Sequence, residues 1–265
     1  MPYQAETFES GAAGALAAQT TDLGTWSAQA GGANPRIDIY ADSLMEGVNS
    51  VGFFDTGAGP TTPGGVELVL PAAISSAVKN RIVYRFLIGT GNTGSVDTMP
   101  FIGLCNGGMD LVAFSTDAFD VAFHYNAGLT HVEISIYDQL NAAGDHFDTG
   151  VAGGVEGELE IIDQGAGVYD VYVNGGLLVP NRQMFTGNET ITNWYFGTGG
   201  VVPPDTFRFD TFDFTVLLDA AFAIGIADDL AIAGLRRDDP QVTRQLRNLG
   251  AVQRRIQRRL QLPPV

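Results

Sequence analysis

Apolar and polar residues alternate along most of this chain with a period of two. In "HVEISIYD" (131–138), Val132, Ile134 and Ile136 fall on one face, and Glu133, Ser135 and Tyr137 on the other. Similar runs predict strands at 36–40, 49–54, 65–70, 81–88, 99–105, 119–125, 131–138, 157–163, 168–176, 193–199 and 207–218. In the last run, "FRFDTFDFTVLL", the apolar phase switches near Thr211, which predicts a β-bulge there. Gly, Asn, Asp and Pro punctuate the runs, so the pattern predicts an all-β sandwich over 1–218. The stretch 72–78, "AAISSAV", is compatible with one or two helical turns.

After Val216 the texture changes. Residues 219–238 read as a small, apolar linker. Asp239 and Pro240 then form an N-cap and first-turn pair that opens a helix over 239–262, closed by Pro263 and Pro264. On it Val242, Leu246, Leu249, Gln253, Ile256 and Leu260 follow heptad spacing, with one polar residue on the seam. Arg254, Arg255, Arg258 and Arg259 lie off that seam and pair like charges at i,i+4. A basic helix of this kind needs a partner, and the heptad points to a homo-oligomer, a dimer or trimer, or to docking on other subunits of an assembly.

Charge makes this asymmetry explicit. The chain has 265 residues and a net charge of −16, yet eight of its fourteen basic residues lie in 236–265. The body before them is strongly acidic, which disfavours nucleic acid and anionic membranes as its partners. Abundant glycine (34 residues) fits many tight turns. The single Cys105 excludes an internal disulfide framework and reads as a buried structural thiol. No apolar run reaches the roughly 18 residues of a membrane span. The opening "MPYQAETFES" shows no secretory signal, so the expectation is a protein made in a cytoplasm.

Three short motifs resemble those of concanavalin A-like lectin/glucanase domains of the laminin-G-like kind. Phe8, Glu9, Gly24 and Trp26 match their opening segment. Tyr169, Tyr172, Val173, Asn174 and Gly175 in "VYDVYVNGG" match a characteristic hairpin, and "FRFDTFDFTV" is similar to the final strand that returns beside the first. The resemblance implies a two-sheet antiparallel jelly-roll sandwich, here with a C-terminal α-helical arm. It also implies a set of functions, because this fold serves lectins, glycosidases, adhesion modules and external phage virion proteins.

Candidate chemistry is sparse. Glu158, Glu160 and Asp163 in "GELEIID" approach the spacing of a retaining glycosidase strand, with Glu158 and Glu160 on one face. The middle acid is Glu rather than Asp, and the ordinary polar side of a half-buried strand is the better explanation of them. Trp26, Trp194 and Tyr195, with Tyr125, could form an aromatic platform for a sugar, although packing is the commoner fate of such residues. Asp110, Asp117 and Asp120, or Asp145 and Asp148, could offer oxygen ligands to calcium as a cofactor, although acidic turn residues are common without it. The three histidines, His124, His131 and His146, form no local metal motif.

Taken together, the sequence leads to a structural or interaction protein. The expectation is an external component of a bacteriophage virion, a capsid decoration or a fibre or tail protein, held on the virion surface through its C-terminal helix. The alternative is a carbohydrate-binding lectin module that recognises a host receptor or glycan. A glycosidase using Glu158 and Glu160 ranks below both.

Overall fold

A computed structural model describes residues 4–29, 36–45, 47–54, 64–76, 79–91, 100–108, 117–198 and 207–216. The expected linker (219–238) and basic helix (239–262) lie outside these residues, as do positions 217–218 of the expected last strand. Among the described residues every regular element is a β-strand, and no helix is long and apolar enough to cross a membrane.

The strands form two antiparallel sheets. The first half of the chain gives β1 (Gln4–Glu6), β2 (Gly14–Ala15), β3 (Trp26–Gln29), β4 (Arg36–Tyr40), β5 (Ser50–Phe54), β6 (Gly64–Ser75), β7 (Asn80–Ile88) and β8 (Pro100–Cys105). The second half gives β9 (Asp117–Asn126), β10 (His131–Tyr137), β11 (Asp145–Ala152), β12 (Glu156–Gly165), β13 (Val168–Val173), β14 (Gly176–Gln183), β15 (Thr190–Thr198) and β16 (Phe207–Val216). A nine-stranded sheet runs β14-β13-β12-β7-β16-β5-β4-β2, with β1 also paired to β16. A seven-stranded sheet runs β11-β10-β9-β8-β15-β6-β3. The expected return of the last strand beside the first is met by the β1–β16 pairing. In place of the expected helical turns at 72–78, residues 72–75 continue β6, paired through Ile74 and Ser75 to Ile191 and Thr190, and positions 77–78 lie outside the described residues.

The core is what the alternation predicts. Val132, Ile134 and Ile136 are all fully buried. On the nine-stranded sheet, the core positions of β7 and β16 are Ile82, Tyr84, Phe86 and Ile88, and Phe207, Phe209, Phe212 and Phe214. The bulge sits where the phase switches. Thr211 has φ of 53°, and the β7–β16 register shifts between Asp210 and Phe212. Without that extra residue, Phe212 and Phe214 would turn outward. The bulge also divides the far edge of β16: Arg208 and Phe209 pair with β5, and Phe212 to Phe214 pair with β1.

Aromatic rings join the sheets. Trp194 of β15 stacks on Phe212 of β16 at 4.4 Å between centroids, and Phe123 of β9 meets Phe209 edge-on at 5.0 Å. Each such pair adds about 0.5–1.5 kcal/mol beyond the area it buries. At one end a polar tie does the same. Arg182 of β14 reaches Asp138, which follows β10, through Nε at 2.8 Å and Nη2 at 2.6 Å, and Asp145 of β11 through Nη1 at 2.5 Å. The Tyr169 hydroxyl donates to the same Asp138 at 2.7 Å.

Candidate functional site on the outer face of the seven-stranded sheet

Both tryptophans leave the candidate list at once. Trp26 is fully buried and Trp194 is 1% exposed, and their rings lie 5.0 Å apart in the inter-sheet core. Large apolar rings at inward strand positions gain more from that core than from solvent, so neither forms a sugar platform. Tyr195 does sit on the outer face of the seven-stranded sheet, but it too is fully buried. Its ring lies over Gly103 of β8, where a Cβ would come within 1.9 Å of it, and its hydroxyl donates to Asp120 on β9. The glycine is the slot that lets a tyrosine cross one strand to reach the next.

The glycosidase pair is also accounted for. Leu159 and Ile161 point into the core, so Glu158 and Glu160 share the outer face of the nine-stranded sheet, as the alternation predicts. Arg81 of β7 binds both, with Nε on Glu160 and Nη2 4.0 Å from Glu158. Asp163, the third acid, takes the opposite parity and ends in a turn, bonded to Ser76, Asn80 and the Gly165 N–H. One arginine thus ties up the two outward carboxylates, and the third is a turn residue. On the same face Asp210, 3% exposed, is pushed up to about 7 by burial, against the pull of the Thr211 N–H.

Of the calcium candidates, Asp110 lies outside the described residues. Asp117 and Asp120 are buried on β9, and burial, reinforced by the charge of Asp117, holds the Asp120 carboxyl well above the usual carboxylate range. The Asp120 carboxylate accepts the Tyr195 hydroxyl. Asp145 is committed to Arg182 and to Asn141 at 2.7 Å. Cys105 is buried and free, and burial raises its thiol, as a structural role requires.

A different group comes together on β9, β10 and β11. The β9–β10 turn is fixed by Asn126, whose side-chain oxygen accepts from the N–H groups of Gly128 at 2.9 Å and Leu129 at 3.2 Å. That turn sets a register with His124 opposite Glu133 and Asn126 opposite His131. On the other side, Ser135 pairs with His146 and Glu133 with Asp148, after a bulge at the start of the pairing. All three histidines of the chain therefore share one outer face.

Their contacts are specific. His124 Nε2 lies 2.7 Å from Glu133 Oε2, with the two side chains 12% and 16% exposed. Burial lowers the His124 imidazole, although Glu133 pulls the other way. His146 Nδ1 is 2.9 Å from the Ser135 hydroxyl. The His131–Asp148 pair, at 3.2 Å, is more open, at 36% and 41%. The Gly150 N–H donates to Asp148 and, with His131, keeps that carboxyl below its ordinary range. Among the described residues, His124, Glu133 and His146 are a set whose ligand atoms all lie within 4.8 Å of one another.

No protein-family model matches this chain, and no curated protein matches it. Solved sandwiches do resemble it. They include the globular domain of T. cruzi calreticulin (10% identity, 92% of this chain and 99% of that chain, TM-score 0.45). They include a Lotus tetragonolobus seed lectin (12%, 78% and 99%, TM-score 0.45) and the botulinum neurotoxin serotype D binding domain (13%, 78% and 47%, TM-score 0.44). The match spans about half the length of the neurotoxin domain. Likenesses of this degree assign no ligand and no role.

From the sequence a site joining the three histidines ranks below isolated surface or packed histidines, and neither Glu133 nor Ser135 stands out as a member of it. The available signal was the hairpin: once Asn126 and His131 pair across "NAGLTH", His124 must oppose Glu133.

Proposed function

We propose that this chain is a non-enzymatic binding module, and that the outer face of β9, β10 and β11 takes a neutral polyhydroxylated ligand, a glycan. One observation carries the reading: the partly exposed His131–Asp148 pair, beside His124 and Glu133 on the neighbouring register. Carboxylate oxygens accept hydrogen bonds and imidazole nitrogens donate or accept them, which suits neighbouring hydroxyl groups. None of the seven strands contains Lys or Arg, so the face offers little to a phosphorylated or sulfated ligand.

This favours the lectin alternative over the virion component. The virion reading rests on the basic arm and the opening segment, and the arm lies outside the described residues. Binding through the His131 face is compatible with either setting, including the receptor-binding part of a particle.

The full chain on a glycan array, followed by calorimetry on the best ligand, tests the proposal. Asp148→Ala and His131→Ala should each weaken that ligand roughly tenfold or more, the cost of a charge-assisted hydrogen bond of about 1.5–3 kcal/mol. Full binding by both variants, or no glycan bound by the parent chain, would overturn it.

A further inference from the structure

We propose that His124, Glu133 and His146 form a binding site for a divalent transition-metal ion of the zinc class. Three adjacent antiparallel strands each supply one ligand to the same outer face. His124 and Glu133 are directly opposite, and His146 is diagonal to Glu133 through the Ser135 position. Strands about 4.8 Å apart bring such side chains within reach of one ion. The three ligand atoms already lie within 4.8 Å of one another, and the ligands of a tetrahedral zinc ion stand roughly 3.3–3.5 Å apart. Small side-chain rotations close that difference.

The donor set names the class of metal. Two imidazoles and one carboxylate are zinc-type ligands, whereas calcium takes six to eight oxygens. Three protein ligands leave a fourth position for water or a ligand oxygen.

The surroundings fit an ion as well. Ser135 Oγ engages His146 Nδ1 at 2.9 Å, which orients the ring and leaves Nε2 for the metal, the usual arrangement behind a ligating histidine. On the His124 side, Nε2 meets Glu133, the ring stands edge-on to that of His146 at 5.9 Å, and Nδ1 is buried without a hydrogen bond among the described residues. No Lys or Arg lies on any strand of this sheet to repel a dication. The site does not depend on a glycan being bound.

The full chain, stripped with EDTA and titrated with zinc chloride by calorimetry, should bind one equivalent with micromolar affinity or better. Cobalt chloride should give the visible absorption of a tetrahedral nitrogen–oxygen site, and calcium chloride should give no heat. His146→Ala and Glu133→Gln should abolish both signals, and Ser135→Ala should weaken zinc by about tenfold or more. His146 lies on an edge strand and Glu133→Gln preserves shape, and circular dichroism verifies that both variants fold. Absence of zinc binding by the parent chain overturns the proposal. So does zinc binding that survives in both folded variants, or that His131→Ala removes as completely as His146→Ala.

Discussion

On the outer face of the nine-stranded sheet Glu156, Glu158 and Glu160 meet arginine; on that of the seven-stranded sheet Glu67, Asp120, Glu133 and Asp148 meet amide, phenol and imidazole. Arg36, Arg81, Arg85, Arg182 and Arg208 all lie on strands of the first sheet, and Lys79 lies just before β7. Arg81 holds Glu158 and Glu160, Arg85 stands 3.6 Å from Glu156, and Arg208 binds Asp42 at 2.8 Å. On the second sheet Glu67 is bonded by Asn193, Asp120 by Tyr195, Glu133 by His124 and Asp148 by His131. Guanidinium is charged at every ordinary pH and closes its carboxylates into fixed pairs. Imidazole is the group that titrates near neutrality and accepts metals, so its pairs can be exchanged for a ligand. The difference separates a face that is finished from one that has chemistry left to do.

Arg182 is the exception that joins the two sheets, and its removal should have the largest effect. Arg182→Met leaves the fully buried Asp138 with the Tyr169 hydroxyl but without its cation. Breaking a buried pair from one side costs about 3–5 kcal/mol, measurable by urea unfolding. A loss below about 1 kcal/mol would mean that the sheets do not depend on this tie.

The next effect sharpens the picture of the nine-stranded face by pH. Asp210 sits at about 7 in the fold against 3.8 as its ordinary value. Between those values the folded chain keeps a proton that the unfolded chain has released, so its contribution to stability falls as pH rises. Asp210→Asn keeps an oxygen for the Thr211 N–H, which now bonds Oδ1 at 2.7 Å, and it cannot ionise. The variant should be the more stable form at pH 8, by something on the order of 2 kcal/mol, and the two should converge near pH 4. Parallel thermal-melting profiles from pH 4 to 8 would contradict this.

The smallest effect tests whether the arginine-bound face is inert. Glu160→Gln should change stability by about 1 kcal/mol, since Glu160 is buried but Arg81 is partly exposed and the amide oxygen can still accept from its Nε. It should leave glycan binding unchanged. Weakened binding in this variant would move the working face to the other sheet.

How far this was readable in advance depends on where each strand lies. Central strands carried their signal, and the phase switch at Thr211 even located the bulge, because both faces of those strands are constrained by burial. The strands without a readable pattern are sheet edges. β11, "DHFDTGVA", is polar on most positions, and β14, "GLLVPNRQ", carries Pro180, which an edge strand tolerates. Trp194 follows the polar stretch "TGNETITN", which suggests exposure, yet strand parity turns it inward. The histidine site was illegible for another reason. His124, Glu133 and His146 stand 9 and 13 residues apart in sequence, and only the pairing registers of two hairpins bring them together.

Because the three imidazoles of the chain all lie on the proposed working face, they are built-in probes of it. Long-range proton–nitrogen NMR of the imidazole rings, recorded on the full chain, reads them directly. Added glycan should shift the His131 nitrogens, and added zinc should shift one ring nitrogen each of His124 and His146 into the metal-bound range. Saturating ligand that leaves all three imidazoles unmoved would contradict the assignment of function to this face.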